Sequence, residues 1–223
     1  MTQTGSSSNK IDHQQEVSAR AILLLVLEGQ HDIAFLSRIS RLLHASDATL
    51  PDLPALEQQE RLIFVPAGGG DFRPWLLRLG PLGCNEFHIY DREAPPVSEE
   101  RFVLAQRVNA RPRCHAIVTG KRSLENYLHP AAIQEASGLC LQFADTEDVA
   151  EMAACAAFRR RLPKIAWESL TPRARRRLRN QAKGWLNTVA VDRMTTLRLA
   201  ERDPAGEVRE WLRTIASLVG QTG

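Results

Sequence analysis

The sequence predicts an α/β fold: a mostly parallel four-stranded sheet flanked by helices, followed by a C-terminal helical region. Three observations predict it. Short apolar runs of strand length alternate with helix-period stripes over residues 20–130, the pattern of βαβ units. Beyond Gly120 the strand pattern stops and helical stretches take over. Carboxylates follow three of the four apolar runs, at the sheet edge where parallel sheets bind ligands.

Residues 1–18 are rich in Ser, Gln and Asn without periodicity, and read as a disordered leader. Ile22–Leu27 is a continuous apolar run and the first expected strand. His31–Leu43 carries apolar residues at 33, 35, 36, 39, 42 and 43, a helical stripe. Leu62–Val65 is the second strand, closed by Pro66 and a turn at Gly68-Gly69-Gly70. Phe72–Leu79 reads as helix, Glu86–Tyr90 as the third strand, and Ser98–Val108 as helix with Glu99 and Glu100 in its first turn. Ala116–Thr119 is the fourth strand. Pro130–Ser137, Thr146–Leu162, Pro172–Val191 and Pro204–Leu218 read as helices, with Pro172 and Pro204 at first-turn positions. Asp145 or Thr146 is the expected cap of the second of these helices, and Thr171 of the third. The expected division is an α/β domain over 20–130 and a basic helical region over 131–223.

The chain has 223 residues, 43% hydrophobic and 25% charged, enough for a core without staples. Its longest apolar run, Ala21–Leu27, is far below the ~20 residues that span a bilayer, so no membrane helix is expected. Cys84, Cys114, Cys140 and Cys155 have no zinc-type spacing and read as reduced thiols of a cytoplasmic protein. Charge is divided unevenly. Residues 1–150 hold 14 Lys/Arg and 19 Asp/Glu, net −5; residues 151–223 hold 15 and 7, net +8. An acid-rich front joined to a basic tail suits a cation site beside a polyanion track, although two solvated faces give the same arithmetic.

The acids fall at strand ends. Glu28 closes the first run, with Asp32 four residues on; Asp91 and Glu93 follow the third; Glu125 follows the fourth, after Lys121 and Arg122. Crowded carboxylates repel, and a hard divalent cation relieves that repulsion. Mg²⁺ or Mn²⁺ is the expected ion, since each takes carboxylate, water and phosphate oxygens. Asp32, Glu93 or Glu125 alone is at least as well explained as a helix cap or loop charge; Glu28 and Asp91, which directly end their runs, are harder to explain that way, and the conjunction is stronger than any member. His31 and His88 are more simply satisfied or solvated histidines than ligands. Between Phe158 and Trp185 ten cations face the single acid Glu168, with Trp167 and Trp185 interleaved. Arg122, Arg173, Arg175, Arg176, Arg177, Arg179 and Lys183 are the expected nucleic-acid contacts, phosphate being the group they neutralise.

Three blocks carry a family resemblance: Leu27-Glu28-Gly29-x-x-Asp32, Asp91-Arg92-Glu93, and Lys121-Arg122-Ser123-Leu124-Glu125-Asn126-Tyr127-Leu128. Together they resemble the Toprim domain of topoisomerases, primases and nucleases, in its overcoming-lysogenization-defect (OLD) branch. The resemblance covers about residues 20–130. It implies a Toprim-like (Rossmann-like) sheet and a metal-dependent nuclease acting in defence or DNA processing. Where the family has Asp-x-Asp, this chain has Asp91-Arg92-Glu93. OLD-type proteins join this domain to an ATPase. Here the nearest approach to a phosphate-binding loop is Gly120-Lys121, with His115 at the first glycine and Arg122 at the hydroxyl position, so either the chain acts alone or a separately encoded ATPase partner supplies the control.

The expected function is cleavage of phosphodiester bonds in DNA or RNA. Glu28, Asp91 and Glu93 are expected to hold one metal, Asp32 and Glu125 to assist a second, and Lys121 or Arg122 to offset charge on the phosphate. The alternatives are a degenerate Toprim-fold subunit that binds nucleic acid or regulates an ATPase, and a receiver-like phosphotransfer domain. A topoisomerase is disfavoured, since Tyr90 and Tyr127 are the sole tyrosines and the chain is short.

Overall fold

The computed structural model describes residues 22–68 and 72–220. The leader and the last two glycines of the Gly68–Gly70 run lie outside the described residues. Strands β1 (Leu23–Leu27), β2 (Leu62–Pro66), β3 (Asn85–Tyr90) and β4 (Cys114–Val118) form one fully parallel sheet in the order β2-β1-β3-β4. All four expected strands are present within two residues of their expected bounds. The chain leaves β1 through α1 (Gln30–Ser46) and α2 (Leu53–Gln58) to β2 on one side. It then crosses by α3 (Arg73–Leu79) to β3 on the other side of β1, and by α4 (Val97–Asn109) to β4. The order therefore reverses between β1 and β3, which makes their carboxyl ends the switch point where such sheets open a crevice. The register Val26↔His88 sets Glu28 level with Tyr90 and one residue short of Asp91.

β1 is buried on both faces, so its side chains alternate between two cores. Leu23, Leu25 and Leu27 join α1 in the larger cluster; Leu24 and Val26 join Phe72, Leu104 and Val108 of the α3–α4 side. The helical region belongs to the larger cluster. α5 (Pro130–Ser137), α6 (Val149–Arg161), α7 (Pro172–Trp185), α8 (Thr196–Arg202) and α9 (Glu207–Gly220) contribute Ile133, Phe158, Ala182, Leu199 and Ile215 to it. At the far end of the sheet, Asn85 Nδ2 donates to Leu218 O at 2.7 Å, which satisfies a carbonyl of the last turn of α9.

β3 carries polar residues on one buried face. Arg111 pairs with Glu86, His88 Nε2 lies 2.8 Å from Glu86 Oε2, and the Tyr90 hydroxyl lies 3.1 Å from His88 Nδ1. With Tyr90 donating to Nδ1 and Nε2–H donating to Glu86, every member has a partner. Burial holds His88 below its ordinary pKa, so it stays neutral.

Several boundaries differ from expectation for local reasons. α6 starts at Val149 because Asp148, not Asp145 or Thr146, accepts from Glu151 N at 2.9 Å. Thr171 caps α7 as expected. The helix expected to run to Val191 changes at Leu186 into a π-helical stretch, Leu186–Ala190, then a 3-10 turn, Val191–Arg193. α9 starts at Glu207 rather than at Pro204, because the Asp203 carboxylate accepts from the Glu207 and Val208 amides, both at 2.9 Å. α2 and α8, six and seven residues long, carry too little periodicity to be read from sequence. Among the described residues no helix is long and apolar enough to cross a membrane.

Gly120 ends β4 against α9. Its amide donates to Glu207 Oε2 at 2.8 Å, and the Tyr127 hydroxyl donates to the same oxygen at 3.0 Å. A Cβ on Gly120 lies 2.2 Å from Glu207 Oε1. Gly120→Ala is expected to displace that carboxylate and leave the buried Tyr127 hydroxyl unmet, at a cost of roughly 1–3 kcal/mol. Denaturant unfolding measures it, and Glu207→Gln should lose less, since the amide keeps an acceptor.

Candidate metal and nucleic-acid site

The carboxyl ends of β1 and β3 bring three acids together. Glu28, Asp91 and Glu93 each place a carboxylate oxygen within 4.8 Å of the others. Asp91 is 4% exposed, and its Oδ2 is buried with no hydrogen-bond partner. A buried orphan oxygen is costly and marks a place where a ligand is due. Glu93 holds φ +55°, a left-handed conformation that disfavours a side chain. Its amide donates to Arg122 O at 2.9 Å, which zips this turn to the one after β4. An all-oxygen donor set with an unmet oxygen fits Mg²⁺ or Mn²⁺.

Asp32 and Glu125 lie beside the trio, and both act electrostatically on Asp91. Asp32 Oδ2 accepts from Gly29 N at 2.8 Å at the start of α1, so it serves as a cap. Its carboxyl is pushed up to about 7 by burial, then by Glu125 and Glu28. Asp91 is pushed well above the carboxylate range by burial, then by Asp32, Glu28 and Glu125; Glu93 is raised by burial and Glu28. Glu125 goes the other way. Burial opposes its charge, but Lys183 at 3.8 Å and hydrogen bonds, one from Asn187 Nδ2 at 2.8 Å, outweigh burial and hold it ionised. The same acids hold the Lys183 ammonium above its usual range despite its burial.

Lys183, expected as a nucleic-acid contact, is thus the cation of the acid cluster. Lys121, expected there, is turned to Asp145 at 2.6 Å and lies over the Tyr127 ring, 5.5 Å from its centroid. Arg122 does reach the cluster, with Nε 3.6 Å from Glu93 and a guanidinium nitrogen 3.4 Å from Asp148. Asp148 also holds Arg179 at 2.8 Å. Sequence reasoning missed Asn187, Asp148 and Arg101, the last 3.6 Å from Glu28 Oε1. Asn187 stands four residues after Lys183, a helical spacing that is the one signal for it.

An open pocket of about 800 Å³ lies over the acids. Glu28, Asp32 and Glu93 form one side; Arg175, Arg176, Arg179 and Lys183 of α7 form the other. A second groove of about 530 Å³ runs over Arg173, Arg176, Arg177 and Asn180. Arg176 and Asn180 line both, so the basic surface continues from the acids across α7. The tryptophans take no part in it. Trp167 is buried, with its indole donating to Glu151 at 3.1 Å, and Trp185 packs on the core. His88 is satisfied inside β3, while His31 lines the pocket.

A doubly flanked parallel sheet with clustered acids at its switch point defines this as an α/β protein with a ligand crevice of carboxylate type. Its overall fold is shared with the C-terminal region of the Burkholderia pseudomallei OLD protein: 14% identity, 90% of this chain and 99% of that one, TM-score 0.52. Two structures of the corresponding region from Xanthomonas campestris pv. campestris are 13% identical, cover 89% of this chain and 95% and 98% of theirs, and have TM-scores of 0.47 and 0.48. No protein-family model and no curated protein matches the sequence. The resemblance carried by the three sequence blocks thus extends to the fold.

The raised carboxyls make a pH prediction. Between pH ~4 and ~7 native Asp32 keeps a proton that the unfolded chain has lost, so metal-free stability falls as pH rises through that window. Asp32→Asn retains the acceptor for Gly29 and removes the penalty. Unfolding in EDTA should show the variant little changed near pH 4 and more stable than wild type by roughly 1–3 kcal/mol at pH 7 and above.

Proposed function

We propose that this protein is a metal-dependent nuclease of Toprim type that hydrolyses phosphodiester bonds. The observation that carries the reading is the Glu28–Asp91–Glu93 trio, with the orphan Asp91 Oδ2, whose Glu28 and Glu93 face four cations of α7 across one pocket. Glu28, Asp91 and Glu93 would hold Mg²⁺ or Mn²⁺. When bound, such an ion supplies a lowered water pKa and charge stabilisation at the phosphate. Asp32, which holds the start of α1 beside the trio, would with Glu125 assist a second ion. Glu125, kept ionised, fixes the Lys183 ammonium beside the acids, where it can offset charge on a phosphate oxygen. Arg175 and Arg176 bind the flanking backbone, with Arg173 and Arg177 extending the track and Arg179 and Arg122 braced by Asp148. The intact trio favours this reading over a degenerate binding subunit.

The fold neighbours are the C-terminal part of larger proteins, and the sequence resemblance links that part to an ATPase. A separately encoded ATPase partner in the cytoplasm, and a role in defence or DNA processing, follow as part of this proposal.

The test is incubation of the protein with plasmid DNA and with total RNA, with Mg²⁺, Mn²⁺ or EDTA. Cutting is expected with either metal, none with EDTA, and none for Asp91→Asn with substrate binding retained. Binding without cutting under every metal, with the ATPase present, would overturn the reading in favour of a binding subunit.

The Arg track makes a separate prediction. Log affinity should fall with log salt at a slope of ~0.9 per phosphate contacted on duplex DNA or ~0.7 on single strands. Replacing Arg175, Arg176 and Arg177 by Gln should flatten the slope and weaken binding alike on all sequences, because phosphate contacts carry no base information. An unchanged slope would mark the run as a docking surface for an acidic protein.

A further inference from the structure

Cations approach the acids from both faces of the sheet. Lys183 comes from α7, whose core residue Ala182 lies in the larger cluster; Arg101 comes from α4, which packs on the other face through Leu104 and Val108. Arg101 is 5% exposed, and a guanidinium stays charged wherever it is buried. It stands 3.6 Å from Glu28 Oε1, an ion contact longer than a hydrogen bond. Its guanidinium carbon lies 4.6 Å from the centroid of the Phe72 ring, a cation–π distance. Phe72 is itself held edge-on to Tyr90 at 4.5 Å, and Tyr90 is anchored to His88. The aromatic platform is fully buried, so the guanidinium has a fixed seat. Glu28 has none of its own. It follows β1 in an irregular turn, its side chain is 21% exposed, and a glutamate has three side-chain torsions to settle.

We propose that Arg101 is a positioning residue for Glu28, seated on Phe72 so that it holds the carboxylate in the orientation that lets Glu28 act with Asp91 and Glu93 on one cation. The inference rests on the metal-site reading above. It differs from simple charge compensation in sign. If Arg101 only offsets negative charge, removing it leaves the acids more negative and tightens cation binding. If it positions Glu28, removing it frees the carboxylate and weakens binding, as loss of a ligand's supporting partner does by about 10- to 100-fold.

Calorimetric titration of the full chain with Mn²⁺ separates the two, with no substrate and no activity readout. Arg101→Gln is expected to weaken Mn²⁺ binding by at least about tenfold, and Arg101→Lys to weaken it less, keeping the charge but not the planar stack. Thermal melting in EDTA checks that the variants fold. Where Arg101→Gln fails to fold, Phe72→Leu keeps the guanidinium, removes its platform, and is expected to weaken Mn²⁺ binding severalfold. Unchanged or tighter binding in the folded variant overturns the inference while wild-type binding upholds the metal reading. A wild type that binds no Mn²⁺ overturns both.

Discussion

Mutual repulsion of carboxylates at the carboxyl ends of β1 and β3 is the constraint that organises this molecule. Asp32, Asp91 and Glu125 are each at most 5% exposed, and Glu28 and Glu93 stand beside them. In so dry a place the charges cannot be screened by water, so some carboxyls take up protons instead. The pattern of shifts shows how the fold shares the load. Glu125 is ionised because it has Lys183 and Asn187; Asp91 is pushed well above its usual range by burial and then by Asp32, Glu28 and Glu125, and one of its oxygens has no hydrogen-bond partner. An acid set arranged only for stability would not leave that oxygen bare, and the fold tolerates it because a large core on both faces of the sheet carries the remaining stability.

The helical region follows from the same constraint. Lys183 and Asn187 can reach Glu125 only if α7 lies across the end of the sheet. Apolar residues put it there, with Ala182 and Leu186 packed in the core shared with α1. The turn from α-helix to π-helix at Leu186 comes within this contact, and such stretches recur at functional sites because they shift side chains round a helix. Asn187, inside the stretch, donates both to Glu125 and to Lys183 O, which couples the acid, its cation and the helix backbone. Seating α7 by its apolar side leaves its arginine-rich side over the acids. The charge asymmetry of the sequence becomes, in three dimensions, two walls of one pocket.

The fold was legible where its signal was local and apolar. Four short runs defined four strands, and the acids that follow three of them converge because parallel strands end at the same edge. Short elements escaped, since α2 and α8 bury few residues each. The π-helical stretch escaped because nothing in Leu186–Ala190 departs from helical patterning. The site was legible in its carboxylates and not in its cations. Lys121 is next to the acid blocks in sequence, yet Asp145 and the Tyr127 ring draw it away. Lys183 lies far along the chain and reads as one cation of a basic run until α7 is placed. Arg101 lies in a helix whose neighbours give no hint of an inward arginine, and Glu28 lies just past the central strand β1, remote in sequence. Direction of a long side chain is set by tertiary partners, which a linear pattern does not contain.

Glu93 illustrates how backbone and side chain adjust to each other. Its position is the one at which the Toprim pattern has an aspartate, and glutamate is longer by a methylene. At an ordinary backbone conformation that extra length moves the carboxylate by more than an ångström, enough to separate it from a ligand set. Here the residue stands at φ +55°, a conformation that costs of order 1 kcal/mol for a side chain other than glycine and therefore needs support. The support is visible: the amide donates to Arg122 O and the carboxylate faces the Arg122 guanidinium, itself braced by Asp148 at the cap of α6. With the backbone so turned, the longer side chain still delivers its oxygen within 4.8 Å of Glu28 and Asp91. A shorter aspartate on this backbone would withdraw the carboxylate from the trio, so the glutamate and the left-handed turn belong together, and Arg122 is the residue that holds both.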